Sequence, residues 1–380
     1  MTGPAPFGVY VHFPYCTKRC PYCDFAVSVR RTIPHERYAN VVVAELVERA
    51  AEFPGRVASS VYFGGGTPGL WRPEALGRVL DAIRSTYALR EDAEVTVEVN
   101  PGEASAPHLA ALRRIGVNRL SIGAQSFDDR SLAVLGRTHD ASAARTAVQL
   151  ARAAGHDNVS VDLIFGLPHA SRVALDRELE AVLSLETEHV SLYQLTIEPR
   201  TAFAALVRAR SLVLPDDEVQ AELYERVRER LAQAGYVHHE ISSWARPGKH
   251  ARHNSLYWTQ DEYLGVGASA SSLRISDGAG ERSTNVRSTD AYLSHRHVES
   301  TDRLERDAFE REGLWLGLRL VAGIDRAAHH ARWGHDPIAS DRGSVLQRLV
   351  AGGLVVIGDT HLRLTPRGQL LADHVGAELV

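Results

Sequence analysis

Tyr10 to Phe25 reads Y-V-H-F-P-Y-C-T-K-R-C-P-Y-C-D-F and contains every cysteine of the chain, Cys16, Cys20 and Cys23. The spacing C-x3-C-x2-C makes a loop short enough to turn three thiolates toward one point, and it follows an apolar run with the pattern of a strand. Three thiolates can hold three irons of a cubane [4Fe-4S] cluster and leave the fourth iron open to an exogenous donor. Zinc is the competing reading. A structural zinc site wants four ligands, usually in paired C-x2-C units, and the one nearby histidine, His12, belongs to the strand before the loop. Disulfides fit poorly, because an odd count leaves one thiol over and Met1 to Phe7 lacks the charged and apolar segments of a signal peptide.

The 380 residues exceed one average domain, and with 44% hydrophobic residues they can bury a large core, so one main domain and a smaller one are expected. The 43 basic residues face 47 acidic ones for a net charge of -4, which argues against a dedicated polyanion binder. Lysine occurs only at Lys18 and Lys249, a bias that GC-rich arginine codons explain without a function. No apolar run reaches the roughly 20 residues of a membrane-spanning helix. The expectation is a cytoplasmic protein with at most peripheral membrane contact, in a compartment where thiols stay reduced.

Downstream of the cysteines, Pro34 to Phe53 has apolar residues at helical spacing. Strands are then expected at Ser59 to Phe63, Glu94 to Val99, Arg119 to Ile122, Asn158 to Ile164 and His189 to Leu195. Helical stretches near 73–86, 105–115, 140–154 and 171–186 separate them, which predicts parallel β-α units with right-handed crossovers. With the strand before the cysteines there are six, which fits an open partial (β/α)6 barrel, whereas eight would close one. Beyond Thr196 the alternation stops. Asp216 to Ala234 reads as a long amphipathic helix, and an α+β region follows, giving a division into 1–235 and 236–380. In that second region Gly265 to Gly280 reads as irregular loop, Arg306 to Leu320 as helix, and Ser344 to Leu371 as helix, Gly353 break, two strands around Asp359, and a helix opened by Pro366. This ending looks like a winged-helix-type module. The acidic net charge and the lack of a separate basic helix favour a packing or lid role over nucleic-acid binding.

Polar residues stand at the strand ends. Gly64-Gly65-Gly66-Thr67 closes the second strand, where glycines allow close backbone approach and offer unblocked peptide groups; the Gly-Lys-Ser/Thr ending of a P-loop is absent. Glu98 in E-V-N-P-G falls on the face opposite Val97 and Val99, and a charged residue on an inner face must find a partner. Gln125 follows the fourth strand, Arg137 stands in L-G-R-T-H, and Asp162 interrupts V-S-V-D-L-I-F-G-L-P. Singly, each reads equally well as a surface or capping residue.

The cysteine spacing is the signature of the radical S-adenosylmethionine (SAM) proteins. With its flanks, Y-x-H-x-P-x-C-x3-C-x-Y-C-D-F, the chain resembles the family of the oxygen-independent coproporphyrinogen III oxidases and the related heme chaperones over nearly its whole length. The resemblance implies a radical SAM core that binds one [4Fe-4S] cluster through Cys16, Cys20 and Cys23. It implies SAM contacts from Tyr10, Tyr22, Gly65, Gly66, Thr67, Glu98, Gln125, Arg137, Asp162 and Thr196. A cation for the SAM carboxylate, acceptors for its ammonium and polar partners for two ribose hydroxyls are then all present. Such a site cleaves SAM reductively.

Two readings follow from the resemblance. The oxidases carry a further cysteine two positions after the third and a long extension before the loop, whereas here Asp24 and Phe25 follow Cys23 and the first cysteine is already residue 16. His253-Asn254-Ser255-Leu256-Tyr257-Trp258 resembles the H-N-x-x-Y-W element of the chaperones. The expectation is therefore a chaperone that binds heme as cargo and passes it to a heme-receiving protein, with the oxidase as alternative and a homodimer left open. His253, Asn254, Tyr257 and Trp258 are the expected heme contacts, with His253 as an iron ligand and Arg246 or Arg252 beside the propionates.

Overall fold

The computed structural model describes residues 6–338 and 343–379; the first residues of the amino-terminal stretch, Met1 to Ala5, and part of the lead into the carboxy-terminal module lie outside them. Six parallel strands run in chain order side by side: β1 (Phe7–Phe13), then, past the short pair β2 (Tyr15–Cys16) and β3 (Ser28–Val29), β4 (Ala58–Gly65), β5 (Leu89–Val99), β6 (Arg119–Gln125), β7 (Val159–Phe165) and β8 (His189–Gln194). Their near-continuous apolar composition is that of parallel strands covered on both faces. The covering helices are α1 (His35–Glu48), α2 (Pro73–Tyr87), α3 (Ala106–Ile115), α4 (Asp129–Val134), α5 (Ala141–Ala153) and α6 (Arg172–Leu183). Their buried leucines, valines and alanines merge with the strands into one core. Asp140, Ser171 and Asp216 accept hydrogen bonds from the backbone N–H groups of Ala143, Ala174 and Val219, which fixes three of the helix starts. The partial-barrel alternation expected from sequence is thus present, with α4 and the later α7 (Ala202–Arg208) as short helices that the periodicity does not show.

After α8 (Asp217–Gln233) the same sheet continues. β9 (Val237–Glu240) and β10 (Ser243–Ala245) extend it beyond β8. Past α9 (Arg252–Trp258), β11 (Glu262–Val266) pairs parallel with β1, with Val9 opposite Leu264 and Val11 opposite Val266. β12 (Ser271–Ser276), β13 (Ala279–Asn285) and, beyond α10 (Thr289–Tyr292), β14 (Val298–Leu304) then carry the sheet outward antiparallel, to twelve strands. The irregular loop expected over Gly265 to Gly280 is therefore corrected to strands. The physical signal is Asp277-Gly278, both at positive φ (52° and 76°), the two-residue turn that matches the twist of a hairpin.

The chain ends in a small layer with its own core of Leu346, Leu349, Leu362, Leu364 and Val375. Helix α11 (Arg306–Gly317) leads to it. β15 (Ile324–Asp325), α12 (Arg326–Trp333), α13 (Gly343–Ala351), β16 (Val355–Ile357), β17 (His361–Leu364), α14 (Pro366–Leu370) and α15 (Ala372–Leu379) then form a three-stranded antiparallel sheet, ordered β15-β17-β16, with its helices. No helix among the described residues is long and apolar enough to cross a membrane.

Candidate functional site

At the carboxy-terminal ends of the parallel strands lies a cavity of about 430 Å3 lined by Cys16, Cys20 and Cys23, by Tyr22, Gly65, Gly66 and Thr67, and by Glu98, Gln125, Arg137, Asp162 and Thr196. Alternation explains the convergence. On β6, Arg119, Ser121, Gly123 and Gln125 share one face and all line this space.

Two of the thiols are joined by a chain of side chains. Thr67 Oγ1 donates to Cys16 Sγ (3.5 Å) and accepts from Asn100 Nδ2 (3.1 Å), and Arg137 bonds Asn100 Oδ1 while its other terminal nitrogen donates to Cys20 Sγ (3.6 Å). Asn100 sits two residues beyond Glu98, on the same face, in a motif whose glutamate alone drew attention. Burial raises the Cys16 thiol to about 11 and pushes the Cys23 thiol up as well. Unliganded, both would stay protonated at neutral pH, so a cation that replaces the protons suits this donor set. Lys18, Arg19 and Arg137 around the loop provide counter-charge to thiolates.

Arg137 also repairs the sheet. The β6–β7 ladder shifts register between Ile122 and Gln125, and the carbonyls of the two intervening residues are taken by side chains: Gly123 O by Arg137 (3.0 Å) and Ala124 O by His139 Nε2 (3.0 Å). Gln125 follows at φ 66°, a left-handed conformation rare outside glycine that turns its side chain into the cavity. The guanidinium Nε of Arg137 is buried without a hydrogen-bond partner among the described residues.

Glu98 accepts from Tyr62 Oη (2.8 Å) and Gly65 N (3.1 Å), and burial raises its carboxyl to about 7 despite these donors. Asp162, held by Ser121 Oγ at 2.9 Å, is likewise raised by burial. Arg119, 2% exposed on the same inner face, eases the ionisation of both. The glycine segment differs from the expected row of free peptide groups. Gly65 N bonds Glu98, Gly66 N donates to Phe13 O (2.8 Å) and Thr67 N to Tyr15 O (2.9 Å), so only its carbonyls remain for a ligand. A side chain at Gly66 would put Cβ 2.8 Å from the Pro14 carbonyl carbon and the Tyr15 oxygen, so the segment is the seat of the cysteine loop. Tyr10 is not among the lining residues. It donates to His12 Nδ1 (3.0 Å) and stacks on Tyr62 (6.2 Å), one layer behind the cavity wall.

His253, expected as the iron ligand, is a core residue of α9. Arg252 N and His253 N each donate to the buried Glu94 (3.0 Å), which pins the helix against the inner face of the sheet. The His253 ring is 0% exposed, with Nδ1 against Ser60 Oγ (2.9 Å), Nε2 against Tyr257 Oη (2.9 Å) and its face on Tyr62 (5.3 Å). Desolvation lowers it to about 3, so it stays neutral, but both nitrogens are spent and neither is free for iron. Asn254 alone of the segment reaches the cavity. Tyr257 packs edge-on against Tyr263 (4.8 Å), and Trp258 lies under the Arg319 guanidinium (4.8 Å). Arg246 and Arg252 are occupied too, over the Tyr236 ring and in an ion pair with Asp92 (3.1 Å).

Comparison with known proteins agrees with this architecture. A model of the radical SAM superfamily matches residues 10–182 and one of the HemN C-terminal domain matches residues 304–371. The heme chaperone HemW of Escherichia coli K12 is 37% identical over 369 residues, covering 96% of each chain, and that of Bacillus subtilis 168 is 34% identical over 372 residues, covering 96% of this chain and 97% of the relative. The chain belongs to the HemW family of radical SAM proteins. Among solved structures, coproporphyrinogen III oxidase (HemN) from Escherichia coli, a radical SAM enzyme, superposes with a TM-score of 0.83 at 25% identity over 99% of this chain and 90% of that one. HemN thus shares the sheet that gathers the cysteines at 25% identity, while the two HemW relatives are 37% and 34% identical over nearly the whole chain.

Proposed function

We propose that this protein is a heme chaperone that binds heme and transfers it to a recipient protein, built on a core that holds one [4Fe-4S] cluster and SAM. The observation that carries the core reading is the convergence of three thiols, an arginine and two partly buried carboxylates on one space of about 430 Å3, a size suited to a nucleoside-containing ligand. Cys16, Cys20 and Cys23 hold the cluster. Arg137 takes the SAM carboxylate, the Gly65–Thr67 carbonyls face its amino group, Glu98, Gln125 and Asp162 offer acceptors to the ammonium and ribose, and Tyr22 and Thr196 border the adenosine. When bound, the cluster supplies the low-potential electron for reductive cleavage of a sulfonium; the chain's own residues bind, orient and exclude water. The heme reading is supported by the HemW names of the full-length relatives.

Residues 1–235 form the SAM-binding part and 236–380 the appended part, a division of roles within one continuous sheet. Its final layer is read as a winged-helix-like packing module. Asn254 is the residue of α9 that lines the cavity. Anaerobic reconstitution followed by iron and sulfide analysis, heme titration and a coproporphyrinogen assay tests the reading. About four irons per chain, heme retention and no porphyrinogen conversion are expected. Stoichiometric zinc without iron removes the cluster, and conversion of coproporphyrinogen III without heme retention makes the oxidase the correct answer.

A further inference from the structure

We propose that the cargo heme binds outside the barrel, in the cavity between α4, α6 and the loop after β7, with His169 as its axial ligand. The inference rests on the heme reading above and names the site that reading lacks, since His253 has no free nitrogen.

The cavity measures about 590 Å3, in the range of sites that take a cofactor-sized ligand. Its walls are apolar: Phe127, Leu163, Phe165, Leu175, Leu192 and Leu223. Leu163 and Phe165 project from the face of β7 opposite Asp162, so this space and the cysteine-lined one lie on the two sides of that strand, with Ile164 bordering both. The outer space opens at the surface, as cargo that must be handed on requires.

Charge and turn geometry identify the occupant. Arg130, Arg145 and Arg177 line the cavity, and none forms an ion pair with a carboxylate among the described residues. The Arg145 guanidinium lies over the Phe127 ring at 5.0 Å. The two acids present are already engaged: Glu178 accepts from Ser126 Oγ (2.5 Å) and Phe127 N (2.7 Å), and Asp128 caps α4 at Ser131 N (2.9 Å). The cavity therefore complements an apolar anion. Ala170 N closes a turn onto Leu167 O at 2.9 Å, with Pro168 second and His169 third at φ 63°. That is the type II arrangement, whose third position calls for glycine. A histidine held there, exposed, lining the cavity and without a hydrogen bond among the described residues, is backbone strain of the kind kept at functional positions. A flat apolar ring with two carboxylates and an iron that takes imidazole satisfies walls, arginines and histidine together.

The test titrates the reconstituted full-length protein with heme and follows the Soret band. His169→Gly suits the turn better than histidine and so should leave folding intact. It is expected to shift the Soret band and weaken heme at least about tenfold, with iron content and SAM binding unchanged. Arg145→Gln with Arg177→Gln is expected to weaken heme by a similar factor but to leave heme dimethyl ester, which lacks the carboxylates, at its wild-type affinity. Unchanged Soret position and affinity in His169→Gly overturn this site while leaving the chaperone reading standing. No heme uptake by the wild-type protein overturns both.

Discussion

Replacing Arg137 by alanine should damage two properties by different and separable amounts. In the folded chain one guanidinium supports the Gly123 carbonyl at the β6–β7 register shift, bonds Asn100 Oδ1 and reaches Cys20 Sγ, and its buried Nε has no acceptor among the described residues. If that donor serves the SAM carboxylate, its loss removes a charge-assisted bond worth about 1.5–3 kcal/mol, which is about 10- to 150-fold in affinity. The stranded Gly123 carbonyl adds about 1–3 kcal/mol of lost stability, independent of ligand. Equilibrium dialysis of SAM against anaerobically reconstituted protein reads the first quantity, and urea unfolding of the cluster-free chain reads the second. Arg137→Lys keeps the charge, yet one ammonium cannot reach the carbonyl, the amide and a ligand together, so an intermediate loss of affinity is expected. Wild-type SAM affinity in Arg137→Ala, with iron content intact, would refute the assignment even if stability falls as calculated.

Two further outcomes follow from the same cavity. Because burial raises Glu98 from its ordinary 4.5 to about 7, the folded chain holds a proton that the unfolded chain releases. Its contribution is fully present below about pH 4.5 and is lost as pH rises to about 7. The loss is at most about 3 kcal/mol, since the carboxyl opens on a cavity that water reaches. Glu98→Gln should flatten that part of the stability profile in urea melts taken from pH 4.5 to 8, and an unchanged slope would assign it to another group. Gly66→Ala should lower iron content after reconstitution, because the new methyl would press on backbone at Pro14 and Tyr15. Full iron content in that variant would show the loop to be seated by something else.

The barrel was legible because each parallel strand carries its own signal, a short apolar run followed by glycine or a lone polar residue and then a helical period. Glu98 could be assigned an inward direction from alternation between Val97 and Val99. Asn100 lies on the same face by the same rule, but an asparagine before Pro101 reads first as a turn residue, and its bond to Arg137 crosses 37 positions. The role of Gln125 depends on a left-handed backbone that only the broken β6–β7 ladder creates. The burial of His253 was hidden for a related reason. Its helix is only seven residues long, and Glu94, far upstream in sequence, supplies the acceptor that starts it. The Asp277-Gly278 hairpin, by contrast, was readable; the abundance of serine and glycine around it masked the turn.

The second region is structurally part of the first, which bears on how the cysteine loop is held. β11 completes the edge of β1, the strand that leads directly into the loop, and the approach is close enough that a side chain at Gly267 would strike His12 O. Tyr38 Oη donates to His12 O (2.7 Å) and accepts from Ala268 N (3.0 Å), which joins α1, the pre-cysteine strand and the residues after β11 through one hydroxyl. On the far side of the loop Arg287 donates to Asp24 O (2.8 Å). The three cysteines are thus positioned from both ends by residues more than 200 positions away. A chain cut near residue 235 would leave β1 with an open edge and the loop without these anchors, so the cysteine spacing defines the site chemically while the distant strands define it in space.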